Sequence, residues 1–202
     1  GDENGEAQGQ CDRHARHPPI LVRPTGPRAA CSMIADVSQT EHKAAAPVHV
    51  RVAVLTVSDT RTHATDTSGR AIREILQEAG HQVIAADLVP DDPAAVTRFI
   101  TGQLDAGAQA VITTGGTGIT SRDSTYEAID ALLEKRLDGF GELFRMLSYE
   151  QIGAAAMMSR ACAGLVRGAV VIALPGAEGA VRLGMTSLVV PELRHLVQQA
   201  SK

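Results

Sequence analysis

No tryptophan occurs in this chain of 202 residues, and only 2 tyrosines and 3 phenylalanines do. The core must therefore be aliphatic, and stacking platforms for single-stranded nucleic acid are not provided for. The 3 cysteines, Cys11, Cys31 and Cys162, show no paired spacing. A sparse, odd set gives neither a disulfide framework nor a zinc site and suits a reducing compartment. Cys162, among small residues, reads as a buried packing residue. No apolar run approaches the roughly 20 residues of a membrane helix, and no apolar signal core follows the Arg- and His-bearing start. The expectations are a cytoplasmic location and no membrane partner. A formal charge of −4 argues against a general polyanion binder, nucleic acid included, yet allows a local anion site.

What is present divides in two. Residues 1–46 are rich in Gly, Pro, Arg, His and Ala and carry no sustained period. They read as a disordered extension, and the alternative of a metal tract built on His14, His17, His42 and the nearby His49 is not favoured. Met33 within it is a candidate natural start of translation. Residues 47–202 read as one folded domain. Val50 to Val57 is strand-like and ends in Ser58-Asp59. Asp66-Thr67-Ser68 starts a helix whose stripe is Ala71, Ile72, Ile75, Leu76 and Ala79, and Gly80 closes it. Val83 to Val89 is a second strand ending at Asp91-Asp92, where Asp92 reads as an N-cap before Pro93. Val96, Phe99, Ile100 and Leu104 mark the next helix, and Ala110 to Ile112 is a third, buried strand.

That strand runs into Thr113-Thr114-Gly115-Gly116-Thr117-Gly118 and then Arg122-Asp123. Successive glycines let backbone N–H groups form an anion nest, although a Gly-Gly-x-Gly alone is equally a tight turn. The segment lacks the Lys-Ser/Thr of a Walker loop and the third glycine of a dinucleotide fingerprint. Ser124 with Glu127 has capping-box spacing. A glycine-hinged helix follows over residues 139–148, then the run Ala154-Ala155-Ala156-Met157-Met158, suited to close helix packing or a subunit contact and not to a cofactor box. Val170 to Leu174 is a further buried strand, ending in Pro175-Gly176, and a last helix carries Leu193, Leu196 and Val197.

The β-α-β-α-β order predicts an α/β fold with a mostly parallel sheet and right-handed crossovers. Ligands of such sheets bind beyond the carboxyl ends of the strands. Ser58-Asp59, Asp91-Asp92, the glycine loop and Pro175-Gly176 should therefore share one edge. Backbone donors would hold phosphate oxygens there, and Asp91 and Asp123 suit Mg²⁺, which takes one or two carboxylates plus substrate phosphates. Each aspartate taken alone is equally a turn or capping residue. Arg122, Arg145 and Arg160 could meet further anionic groups, though surface ion pairs with acids such as Glu142 or Glu150 are the usual use. His63, His81 and His195 read as surface or helix-end residues.

The run Thr114-Gly115-Gly116-Thr117-Gly118, Arg122-Asp123, Thr125, Glu127-Ala128 resembles the MoaB/MogA family of molybdenum cofactor biosynthesis proteins. Gly139-Phe140-Gly141-Glu142, Phe144-Arg145, Ser148, Ser159-Arg160-Ala161 and Leu174-Pro175-Gly176 follow in the family's order. Asp66-Thr67-Ser68-Gly69 and Phe144-Arg145-Met146-Leu147-Ser148 resemble the MoaB branch. The resemblance spans about residues 48–200. It implies a three-layer α-β-α, molybdopterin-binding-like fold and adenylyl transfer from Mg-ATP to the terminal phosphate of molybdopterin, with pyrophosphate released. Asp91 and Asp123 would be catalytic and hold Mg²⁺. Ser58, Asp59, Gly115, Gly116, Thr117, Gly118, Pro175 and Gly176 would line the nucleotide and phosphate side. Arg122, Arg145, Ser148, Ser159 and Arg160 would face molybdopterin. Homotrimers or homohexamers are implied, with other cofactor-biosynthesis proteins as further partners. Retention of Arg122 beside Asp123 favours an enzyme over a non-catalytic molybdopterin-binding or scaffold protein of the same fold. A pyrophosphatase-like domain of the CinA type is a third reading.

Overall fold

The computed structural model describes residues 47–202; the expected extension, Met33 included, lies outside them. Six strands form one sheet in the order β2-β1-β3-β6-β5-β4. These are β1 (Arg51–Val57), β2 (Gln82–Val89), β3 (Ala110–Thr114), β4 (Lys135–Arg136), β5 (Cys162–Val166) and β6 (Ala169–Leu174). β1, β2, β3 and β6 are parallel, as the alternation with helices requires, whereas β4 and β5 are antiparallel to their neighbours.

The helices are α1 (Thr67–Glu78), α2 (Pro93–Asp105), α3 (Thr125–Leu132), α4 (Asp138–Ile152), α5 (Glu178–Gly184) and α6 (Val190–Ala200). A 3-10 turn, Gly153–Met158, follows α4, and a π-helical stretch, Met185–Val189, joins α5 to α6. Side chains alternate across each strand, so the sheet feeds two cores. Val52, Val54, Ala110, Ile112, Val170 and Ile172 meet α1, α4, α5 and α6 on one face. Ala53, Leu55, Val111, Val171 and Ala173 meet Val96 and Ile100 of α2 and Ile129 of α3 on the other. The fold is thus the three-layer α/β arrangement with a mostly parallel sheet that the sequence implied. The sheet winds outward in both directions from β1 and β3, which places a topological switch point at their carboxyl ends.

Several starts and stops follow the sequence. Asp66 caps α1 by accepting the Gly69 N–H (2.8 Å), and Asp92 caps α2 through the N–H groups of Ala94 and Ala95. Gly80 ends α1 with φ +79. One strand goes beyond the sequence reading, and two readings are corrected. Residues 162–166 form strand β5, returned to β6 by a tight turn in which Arg167 and Gly168 both have positive φ (50 and 74). An arginine at the first such position masks the hairpin signal that Asn-Gly would give. Ser124 makes no cap bond to α3; its hydroxyl donates to Asp91 Oδ1 (2.8 Å), so there is no capping box. His81 does follow a helix end, but it is buried, and its Nδ1 accepts the Val50 N–H (3.3 Å).

Candidate active site

The carboxyl ends of β1, β2, β3 and β6 open into one cleft of about 440 Å³. Its lining includes Ser58, Asp59, Asp91, Gly115, Gly116, Thr117, Gly118, Arg122, Asp123, Pro175 and Gly176. All four strand-end clusters therefore share one edge, as expected from the βα connections.

The loop after β3 is tightly fixed. Gly115 (φ +97) donates its N–H to Leu174 O (3.1 Å), and a Cβ there would lie 2.1 Å from Val57 O. At Gly116 (φ +63) a Cβ would lie 2.2 Å from Thr125 Oγ1 and 2.6 Å from Asp91 Oδ2. Only glycine lets the backbone pass between the β1 end and the Asp91 carboxylate. The Gly118 N–H is directed to the Asp123 carboxylate. Among the described residues this leaves the N–H groups of Gly116 and Thr117 as the loop's unpartnered donors, so the anion nest is narrower than the glycine count suggests.

Asp91 is almost fully buried, with 8% of its surface exposed. Its Oδ1 accepts the Ser124 N–H (3.2 Å), the Ser124 hydroxyl (2.8 Å) and the Thr125 hydroxyl (3.0 Å). Those donors offset the cost of removing a carboxylate from water. Thr125 also donates its N–H to Gly116 O (3.0 Å), so one residue ties the carboxylate to the cradle. Asp123 Oδ2 accepts the hydroxyl (2.6 Å) and the N–H (3.0 Å) of Thr120. The Thr120 hydroxyl bond, then the backbone donors of Thr120 and Gly118 and the charge of Arg160, hold the Asp123 carboxyl below its usual range and keep it ionised at neutral pH.

The Asp91 and Asp123 carboxylates both adjoin the glycine loop, and their hard oxygens could hold Mg²⁺. Among the described residues no group of three or more His, Cys, Asp or Glu side chains converges as a metal cage. Two carboxylates completed by substrate phosphate remain the arrangement that suits this ion.

The arginines have different surroundings. Arg122 donates from Nε to Asp59 Oδ2 (2.7 Å), and this bond lowers the Asp59 pKa and raises that of Arg122. Arg160 donates to Gly118 O (3.0 Å), pairs with Glu127 and stacks over the Tyr126 ring, 4.1 Å from its centroid. Neither Glu142 nor Glu150 is its partner; Arg160 braces the glycine loop from outside. Arg145 lies apart, lining a separate depression of about 230 Å³ with Tyr126, Arg136 and Cys162. Burial pushes the Cys162 thiol up to about 11, so it is a packing residue with little thiolate. Ser148 is buried, and its hydroxyl returns to Phe144 O within α4 (2.7 Å). Ser159 is half-buried next to Arg160 and lines neither depression. The molybdopterin-side set thus divides: Arg122 joins the cleft, Arg160 braces it, and Arg145, Ser148 and Ser159 stand elsewhere.

Sequence reasoning missed Arg61, which lines the cleft and donates to Ser68 Oγ (2.6 Å) and Gly176 O (2.9 Å). It lies in a polar loop with no periodic signal. The hydroxyls of Thr120 and Ser124 could have been found from their places beside Asp123.

The fold and site together define a three-layer α/β protein with a glycine loop and two carboxylates at its switch point, the place where open α/β sheets bind ligands. Residues 53–195 match the family described as probable molybdopterin binding domain, and the chain belongs to that family. It is 50% identical over 162 residues to molybdenum cofactor biosynthesis protein B of Bacillus cereus, covering 79% of this chain and 96% of that protein. The solved tungsten cofactor synthesizing protein MoaB of Pyrococcus furiosus is 39% identical with a TM-score of 0.72, covering 78% of this chain and all of that one. A solved MogA is 29% identical with a TM-score of 0.66, covering 74% of this chain and 99% of that one. The resemblance drawn from the motifs, MoaB branch included, is upheld.

Proposed function

We propose that this protein acts in molybdenum cofactor biosynthesis as a molybdopterin adenylyltransferase. The observation that carries the reading is the convergence of Asp91 and Asp123 on the glycine loop in one strand-end cleft. A terminal phosphate oxygen of molybdopterin would attack the α-phosphorus of ATP. The new P–O bond forms as the α–β anhydride bond breaks, and pyrophosphate leaves. Mg²⁺, held by Asp91 and Asp123 together with ATP phosphates, would neutralise charge on the phosphates.

The chain's own groups supply position and charge balance. The N–H groups of Gly116 and Thr117 would hold phosphate oxygens. Asp91 and Asp123 are each fixed in place by hydroxyl donors, so neither side chain must reorganise. Arg61 and Arg122 are the cations lining the cleft, set against Asp59, Asp91 and Asp123. Three carboxylates against two arginines leave the lining unsuited to a bare polyphosphate, which supports a requirement for the metal–nucleotide complex.

Assembly as a homotrimer or homohexamer belongs to the same proposal. It is supported by the exposed apolar side chains of Leu143, Met146, Tyr149 and Ile152 on α4 and of Met157 and Met158 beyond it. The test of the activity is incubation of the full chain with Mg-ATP and active molybdopterin beside a MogA control. Adenylylated molybdopterin is expected. Its absence while the control succeeds would indicate a non-catalytic molybdopterin-binding protein.

A further inference from the structure

Three carboxylates line the cleft, and the chemistry above uses two of them. The third, Asp59, begins the loop after β1 and is about one-third exposed, at 32% of its side chain. Its Oδ1 accepts the backbone N–H of Asp91 (3.0 Å), and its Oδ2 accepts Nε of Arg122 (2.7 Å). One side chain from the β1 loop therefore grips the end of β2 and the residue immediately before Asp123. The grip on the second loop matters because the Arg122 side chain is 71% exposed and, among the described residues, is anchored through Asp59. Asp91 is held from the opposite side by Ser124 and Thr125. Asp59 completes a frame that runs from the β1 loop through Asp91 to the start of α3.

We propose that Asp59 is a positioning residue that sets the spacing between the Asp91 loop and the Arg122-Asp123 loop, and that it ligates neither nucleotide nor metal. Its charge is already met by the Arg122 guanidinium, whereas Asp91 and Asp123 take neutral hydroxyl and amide donors and keep their charge for a cation. An ion pair this exposed contributes little to global stability, so substitutions at Asp59 should leave the fold intact and act on loop geometry. Misplacing reacting groups by about 1 Å costs roughly 100-fold in rate, enough for such a frame to matter. The kinetic part of the inference rests on the adenylyl-transfer reading; the structural part does not.

The experiment compares the full chain with Asp59→Asn, Asp59→Ala, Arg122→Gln and the Asp59→Ala/Arg122→Gln double variant. Hydrogen exchange at the Asp91 amide reports the first grip without turnover. It should accelerate at least about 10-fold in Asp59→Ala and less in Asp59→Asn, whose amide oxygen can still accept that N–H. Mg-ATP affinity, measured calorimetrically, should stay within about 3-fold, while kcat falls on the order of 30-fold in Asp59→Ala and less in Asp59→Asn. The double variant should be no slower than the slower single one, because both remove the same link. Unchanged exchange at Asp91 in Asp59→Ala would overturn the proposal whether or not the protein turns over. So would Mg-ATP affinity lost with kcat preserved, which would make Asp59 a ligand, or additive effects in the double variant. A wild-type chain without turnover would instead count against adenylyl transfer, leaving exchange and binding to decide on Asp59.

Discussion

Asp123 and His81 show how one residue type's chemistry is redirected by its neighbours. Asp123 takes local donors from Thr120, above all, and Gly118, which hold its carboxyl below the usual range and keep it ionised at neutral pH. Replacing it with Ala removes charge stabilisation worth several kcal/mol in a site of this kind, so turnover should fall by at least about 100-fold. Circular dichroism and the melting temperature should be close to wild type; near-normal turnover would remove Asp123 from the mechanism. His81 gives a pH prediction. Burial, then the charges of Arg194 and His49, lower its pKa below that of an ordinary histidine. The folded state needs Nδ1 unprotonated to accept the Val50 N–H, whereas the unfolded chain takes up a proton first as pH falls. This contribution is therefore full above the unfolded pKa and is lost as pH drops from about 6.5 toward the lower folded value. Denaturant midpoints should decline over that window in the wild type and decline less in His81→Gln. Equal slopes in the two would contradict the assignment.

At the scale of elements, the parallel strands and their helices were readable because each carries its own period and its own stop: Asp66 and Asp92 as caps, Gly80 as terminator, Ala110 to Ile112 as a wholly apolar run. The strand-end clusters followed from topology. What stayed hidden depends on long-range partners. β5, with Ala163 and Gly164 at its centre, lacks a strong strand signature and is defined by pairing with β6. Ser124 has the local chemistry of a cap, yet Asp91, 33 residues away, takes its hydroxyl. Arg61 reaches Gly176 across 115 residues, which no local window reports. Two substitutions test the packing of elements. Gly115→Ala forces a Cβ toward Val57 O at positive φ and should cost on the order of 2–4 kcal/mol. Phe144, fully buried on α4 and stacked with Phe140 at 6.5 Å, should cost roughly 3–5 kcal/mol on truncation to Ala. Urea unfolding checks both, with midpoints moving down; an unchanged midpoint would contradict the packing described.

For the whole molecule, the fold gathers the ends of four parallel strands at a switch point while the antiparallel β5 and β4 extend the sheet away from it. Four apolar side chains of α4, Leu143, Met146, Tyr149 and Ile152, lie exposed outside both cores, which supports self-association as their use. Sedimentation should show one defined oligomer, and Tyr149→Glu together with Met146→Glu should shift it toward monomer; a monomeric wild type would contradict that use.

Attack at the α-phosphorus within the Asp91–Asp123 cleft would be read from the fate of the α-phosphate. With ATP labelled at the α-phosphate, Mg²⁺ and molybdopterin, the label should move into molybdopterin as pyrophosphate appears in equal amount, and Asp123→Ala should stop both. Label remaining in ATP while a MogA control transfers it, or appearing as free AMP regardless of molybdopterin, would contradict the account.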